Sequence, residues 1–157
     1  MRTVPRVLSR LGILCLIAIF GCSTGGLTAP VADFLDEGRK ALGADNFGSA
    51  QEQFQKGLAE AQRSGDYEGM GFTLHGLADI HRARKEYEQA LQKYQEALPF
   101  FSKARNRFME ALTLEQIGGV KQKLGNDQEA VALFDKAISI WNDLFGGIQL
   151  RINKGTY

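Results

Sequence analysis

Tyr87-Glu-Gln-Ala-Leu-Gln-Lys-Tyr-Gln-Glu-Ala-Leu98 returns 40 residues later as Asp127-Gln-Glu-Ala-Val-Ala-Leu-Phe-Asp-Lys-Ala-Ile138. It stands 40 residues earlier as Phe47-Gly-Ser-Ala-Gln-Glu-Gln-Phe-Gln-Lys-Gly-Leu58. Ala50, Ala90 and Ala130 form one column of this repeat. Phe54, Tyr94 and Phe134 form a second, and Gly57, Ala97 and Ala137 a third. The spacing i, i+4, i+7 places the three columns on one face of a helix. Small residues at both ends of that face let a second helix approach closely, and the aromatic between them fills the gap. Upstream, Phe34, Leu74 and Leu114 align, as do Gly38, Ala78 and Gly118, again i, i+4 and large then small. The unit is therefore a helix pair with a small residue on each helix at the crossing. Self-similarity at a fixed period marks a stack in which each unit buries its apolar face only against its neighbours. The predicted fold class is all-α: an α-α superhelix of three helix-pair repeats, 31–70, 71–110 and 111–144, with a short C-terminal segment, 145–157.

The pattern predicts helices near 31–43, 47–63, 67–84, 87–104, 107–124 and 127–144. Two of the turns, Gly43-Ala44-Asp45-Asn46 and Leu124-Gly125-Asn126-Asp127, carry a glycine suited to a helix C′ position and an Asn or Asp to cap the next helix. The third, Ala83-Arg84-Lys85-Glu86, has neither and must rely on packing. Pro99 removes a backbone donor inside the fourth helix, so a kink or an early stop is expected there. Gly69, Gly71, Gly76, Gly118 and Gly119 fall inside helices, each at a cost of ~1 kcal/mol against alanine. Gly118-Gly119 reads as a packing pair; Gly69 and Gly71 have no evident reason in the sequence.

These columns resemble the tetratricopeptide repeat. Its pattern runs large apolar, apolar-small, Gly-Asp-Tyr, Ala, aromatic, Ala. The third copy here reads Leu114, Ile117-Gly118, Gly125-Asn126-Asp127, Ala130, Phe134 and Ala137. The second reads Leu74, Leu77-Ala78, Lys85-Glu86-Tyr87, Ala90, Tyr94 and Ala97. The first departs at Glu37, where an apolar residue is usual, and the period is 40 rather than the common 34. The extra residues are expected to lengthen both helices. The resemblance implies a TPR-like solenoid that binds protein rather than catalyses. It assigns repeat packing to Gly38, Ala50, Phe54, Ala78, Ala90, Tyr94, Gly118, Ala130 and Phe134. It also implies a concave groove lined by the first helix of each repeat. Carried over, the groove columns are Ala32, Leu35, Arg39 and Leu42 in the first repeat and Phe72, His75, Asp79 and Arg82 in the second. Leu112, Glu115, Gly119, Gln122 and Lys123 complete the set in the third. Arg39, Arg82 and Lys123 would offer cationic contacts.

The N-terminus carries a second signal. Arg2, Arg6 and Arg10 precede the apolar run Leu11–Phe20, with no acid before Asp33. The run is shorter than the ~20 residues that span a bilayer, so residues 1–21 read as a signal peptide. It ends Ile19-Phe20-Gly21-Cys22, which resembles a bacterial lipobox. That resemblance implies cleavage before Cys22 and diacylglycerol on its thiol. The only other cysteine, Cys15, would leave with the signal peptide. Residues 22–30 would form a flexible tether. The place implied is the cell envelope, lipid-anchored, on the periplasmic face of the outer membrane if the cell is Gram-negative.

Composition narrows the rest. Loss of residues 1–21 leaves 16 basic against 18 acidic residues, a balance that does not suggest nucleic acid. His75 and His81 are the only histidines, and i, i+6 spacing separates them around a helix, so no zinc pair is predicted. Asp33, Asp36 and Glu37 suit the positive end of a helix dipole. No nucleophile motif, phosphate loop or metal-ligand set is evident, so the chain is read as a non-enzyme with no cofactor beyond the lipid on Cys22. At the other end Trp141, Leu144, Phe145, Ile148, Leu150 and Ile152 are apolar where a solenoid usually turns polar. Gly146-Gly147 is expected to break the helix there, letting the segment fold back as a partial cap. The function expected is a membrane-anchored adaptor that docks a protein of an envelope assembly, such as a pilus, secretion or outer-membrane machine. The alternative is a self-associating structural lipoprotein that makes homo-oligomer contacts through its apolar C-terminal end.

Overall fold

The computed structural model describes residues 26–154. Residues 1–25, which hold the expected signal peptide, Cys22 and the start of the expected tether, lie outside the described residues. Among those described the chain is all-α: α1 (Ala29–Gly43), α2 (Phe47–Ser64), α3 (Tyr67–Ala83), α4 (Tyr87–Lys103), α5 (Arg107–Lys123) and α6 (Asp127–Lys154). Each helix packs on the next in the chain, and α1 also reaches across to α3. No helix of the described residues is long and apolar enough to cross a membrane.

The structure halves the period seen in the sequence. Backbone φ turns positive at Asp45, Gly65, Lys85, Arg105 and Gly125, one position every 20 residues. At each, two backbone bonds close the preceding helix in the Schellman pattern. The N–H donors of Asn46, Asp66, Glu86, Asn106 and Asn126 reach the carbonyls of Ala41, Ala61, His81, Phe101 and Lys121, all at 2.9 Å. The residue before it donates to the next carbonyl along, as in Asp45 N to Leu42 O at 3.0 Å. The residue that completes each C-terminal motif is also the one that caps the next helix. Asn46, Asp66 and Asn106 accept from Ser49 N, Gly69 N and Met109 N at 3.2, 2.7 and 3.0 Å. Glu86 makes no such cap; its carboxylate meets His81 Nδ1 at 2.6 Å instead. This corrects the assignment of Gly43 to the C′ position. Gly43 is the last helical residue of α1, and Asp45 takes the left-handed conformation.

Packing follows the columns. Ala50, Ala78, Ala90 and Ala130 are buried at the crossings, and Phe54 and Tyr94 are buried beside them. A Cβ added to Gly38 or to Gly76 would stand 2.6 Å from the Phe54 ring, so that ring is clasped between α1 and α3. Gly118 meets the Phe134 ring in the same way at 2.7 Å. Gly69 and Gly71 now have a reason. Their missing Cβ atoms would meet Val31 and Asp66 (2.8 and 2.7 Å) and the Phe101 ring (2.7 Å). Gly119, expected to be a packing residue with Gly118, faces open space.

Three expectations change. Of the two outcomes expected at Pro99, the early stop does not occur: α4 runs on to Lys103, close to the expected 87–104. Phe101, beyond the proline, is fully buried and accepts the turn bond from Asn106, which offsets the ~3 kcal/mol that an interior proline costs. Helix α6 does not break at Gly146-Gly147 but continues to Lys154, so nothing folds back within the described residues. Glycine costs propensity yet keeps its N–H, so it weakens a helix without ending it. Ala29 and Pro30, expected in a flexible tether, belong to α1, whose first turn suits proline. Thr28 N is held 2.9 Å from Asp66 Oδ2.

Candidate functional site: the concave groove

The first helices of the three pairs, α1, α3 and α5, bring most of the sequence-predicted groove residues together. Arg39, Leu42, Phe72, His75, Asp79 and Leu112 line a hollow of about 250 Å³, floored by Phe54, Gly76 and Met109. Arg82, Gly119 and Lys123 line a second of about 250 Å³ nearer the turns, with Tyr87, Gln116 and Val120. Leu35 does not join them. It is 1% exposed and belongs to the core with Val31 and Phe54, where its neighbours supply more apolar contact than a groove wall would. Glu115 and Gln122 are exposed and border neither hollow, and Ala32 is half-buried.

A polar hub organises the groove wall. His75, Asp79 and Arg82 stand at i, i+4 and i+7 on α3, so one face of that helix presents all three. Tyr94 reaches them from α4: its hydroxyl donates to Asp79 Oδ1 at 2.5 Å and accepts from Arg82 Nε at 3.1 Å. Arg82 Nη2 donates to the same Asp79 oxygen at 3.1 Å. His75 Nδ1 lies 3.4 Å from Asp79 Oδ2, and the ring stacks edge-on against Tyr94 at 4.9 Å. Its other nitrogen, Nε2, is buried and finds no hydrogen-bond partner. Burial pushes the Asp79 carboxyl up, but bonds from His75 and Tyr94 and the Arg82 charge outweigh it and hold the group below its ordinary value. Burial and the Asp79 charge together push the Tyr94 phenol well above its ordinary range, so it remains a neutral donor.

Arg39 closes the far side. Its guanidinium lies over the Phe72 ring at 5.7 Å and pairs with Asp36 at 3.4 Å. Both partners of that pair are exposed, so it contributes little and leaves Arg39 ready to exchange partners. Sequence reasoning placed Tyr94 among the packing residues and missed its part in the groove. The signal was the hydroxyl itself. Phe54 and Phe134 occupy the same column without one, and a buried tyrosine hydroxyl needs a partner. Among the described residues no group of three His, Cys, Asp or Glu could hold a metal ion. The arrangement sets an apolar hollow beside fixed polar groups.

Stacked helix pairs with a mixed apolar and polar concave face define a helical-repeat solenoid of the protein-binding class. Two tetratricopeptide repeat family models match the chain, one over residues 41–103 and one over residues 111–149. The chain belongs to the tetratricopeptide repeat family. It is similar to the Photosystem I assembly protein Ycf3 of Synechococcus sp. strain CC9902, 28% identical over 120 residues. That alignment covers 76% of this chain and 66% of the relative. The Photosystem I assembly protein Ycf3 of strain CC9311 is 27% identical over 122 residues, covering 77% and 66%. The chain thus spans just under two thirds of the length of these relatives.

Proposed function

We propose that this chain is a membrane-anchored bacterial lipoprotein that uses its groove to dock a protein partner during assembly of an envelope complex. The observation that carries the docking reading is the groove wall. It sets the apolar hollow lined by Phe72 and Leu112 beside the fixed Asp79–Tyr94–Arg82 hub and an easily re-paired Arg39. The relatives named as assembly proteins support the role of assembly factor. The lipobox-like Ile19-Phe20-Gly21-Cys22 supports the anchor, with Cys22 as the lipidated residue. No cofactor enters the role.

The test is a photo-crosslinking residue at Leu112 in the membrane-anchored protein, with and without Arg39→Glu. Capture of one component of an assembling complex, lost on Arg39→Glu, supports the groove. No capture from Leu112 would place the partner elsewhere and refute it. The anchor is tested separately. Cys22→Ala should move the protein from the membrane to the soluble fraction, and retention in the membrane would remove the lipoprotein reading.

A further inference from the structure

The two ends of the stack differ in chemistry. Leu77 and Ile80 on α3, and Ile117 and Val120 on α5, are buried. The same columns on α1 hold Glu37 and Lys40, both exposed. The first helix therefore ends the stack with charge. The last does the opposite. Val131, Phe134, Ile138, Trp141 and Phe145 stand at i, i+3, i+7, i+10 and i+14, a single apolar stripe along α6. Val131, Ile138 and Phe145 are 58%, 53% and 43% exposed. Trp141 bridges Phe108 and Phe145, with ring centroids 5.0 and 5.7 Å away.

Repeat symmetry says what covers such a stripe. The α4 equivalents Leu91, Tyr94, Leu98 and Phe101 are half-buried or buried. Leu91 and Leu98 pack on the cluster that holds Ile117 and Val120 of α5. On α2, Leu58 packs on the cluster that holds Leu74 of α3. Twice in this chain the stripe receives the first helix of the next pair. Its face runs Leu, then Leu or Ile at +3, and Ile or Val at +6 (residues 74, 77, 80 and 114, 117, 120). The α6 stripe continues these two interfaces, and no helix of the described residues lies on it.

We propose that the α6 edge is a second docking site, distinct from the groove, and that its occupant is an amphipathic helix of another protein carrying this apolar face. A second copy adding head to tail does not fit. It would press Glu37 and Lys40 against Val131 and Ile138, burying charge on an apolar stripe. The Phe134 ring is seated against Gly118 on one side only, whereas Phe54 is clasped by glycines of both flanking helices. The occupant is therefore expected to bring a small residue to the open side, as Gly76 does for Phe54.

Trp141 is the only tryptophan of the chain, so its emission reports the edge directly. The probe is a side-chain-stapled helical peptide with the sequence of α3, Tyr67–Ala83, titrated into the full chain. The expected result is a saturable blue shift of Trp141 emission, absent for a peptide with Asp in place of Leu74 and Leu77. Ile138→Asp, at an exposed position that circular dichroism should show still folded, is expected to weaken binding at least about tenfold. Arg39→Glu, in the groove, should leave binding unchanged, which separates this site from the groove reading. Absence of a shift would overturn the proposal. So would a dimer, seen by sedimentation, that Ile138→Asp dissociates and the peptide does not displace, because a second copy would then be the occupant.

Discussion

Replacing Gly76 with alanine should destabilise the protein although alanine is the better helix former. The added Cβ would stand 2.6 Å from Cε1 and Cζ of Phe54. Ordinary carbon contacts lie at ~3.5–4.0 Å, so the ring would have to retreat by about 1 Å. It has nowhere to go. Phe54 is 1% exposed, and on its other side the Cβ position of Gly38 is also 2.6 Å away. Overpacking of a closed core costs ~1–3 kcal/mol, and a doubly blocked ring belongs at the top of that range. The gain in helix propensity returns ~1 kcal/mol. The net expectation is a loss of about 2 kcal/mol, or a urea midpoint lower by about 1 M at an m value of ~2 kcal/mol/M. Gly119→Ala is the matched control. It lies within α5, and its Cβ meets nothing within 4 Å, so it should raise stability by up to ~1 kcal/mol. Phe54→Leu combined with Gly76→Ala should lose at least about 1 kcal/mol less than the two changes summed, because the smaller side chain yields to the new methyl. A Gly76→Ala protein as stable as the parent, or a Gly119→Ala protein equally damaged, would refute the account of the clasped ring.

The hub and the turns yield further expected outcomes. Tyr94→Phe removes the hydroxyl that joins Asp79 to Arg82 and should cost ~1–1.5 kcal/mol in chemical denaturation. The Tyr94 phenol is raised in the folded state, so its contribution is complete below its ordinary value of 10.0 and is lost as pH rises beyond it, a loss Tyr94→Phe should abolish. Asp79 has the opposite sign. Its depressed carboxyl contributes above its ordinary value of 3.8 and ceases to as pH falls through the folded-state value, so Asp79→Asn should flatten the acid limb of the stability profile. Asp66→Ala removes the acceptor of both Gly69 N and Thr28 N. It should cost ~1–2 kcal/mol and speed amide exchange at both residues. Lys85→Gly, at φ 63°, should raise the thermal midpoint by relieving roughly 1 kcal/mol of left-handed strain.

The helix pairs were legible because their columns recur at one offset, and small-large-small spacing has one economical explanation in helices that cross closely. The turns were less so. A Schellman closure needs a residue that tolerates positive φ, and glycine announces it at Gly65 and Gly125, but Asp45, Lys85 and Arg105 do the same work without a composition signal. Leu35 was misplaced because a column assigned by family analogy ignores which side the first helix turns inward. At the first pair it is the core side that needs a leucine. Gly69 and Gly71 could not be read at all, since what excludes their Cβ atoms is Val31 and Phe101, residues 38 and 30 positions away in the chain. The groove hub was half visible. Asp79 and Arg82 share a helix, whereas Tyr94 arrives from the next one.

The constant interval between left-handed residues makes the chain interchangeable in lengths of two turns. Asp66 and Asn106 occupy the same station, each closing one helix and capping the next. Excision of residues 67–106 would join Asp66 directly to Arg107 with cap, turn and helix phase preserved. An excision of a single residue within any helix would rotate everything after it by about 100° and turn its buried face to water. Growth or shrinkage of this molecule in evolution is therefore expected in steps of one helix pair, with the charged first helix and the apolar last edge carried along at the ends.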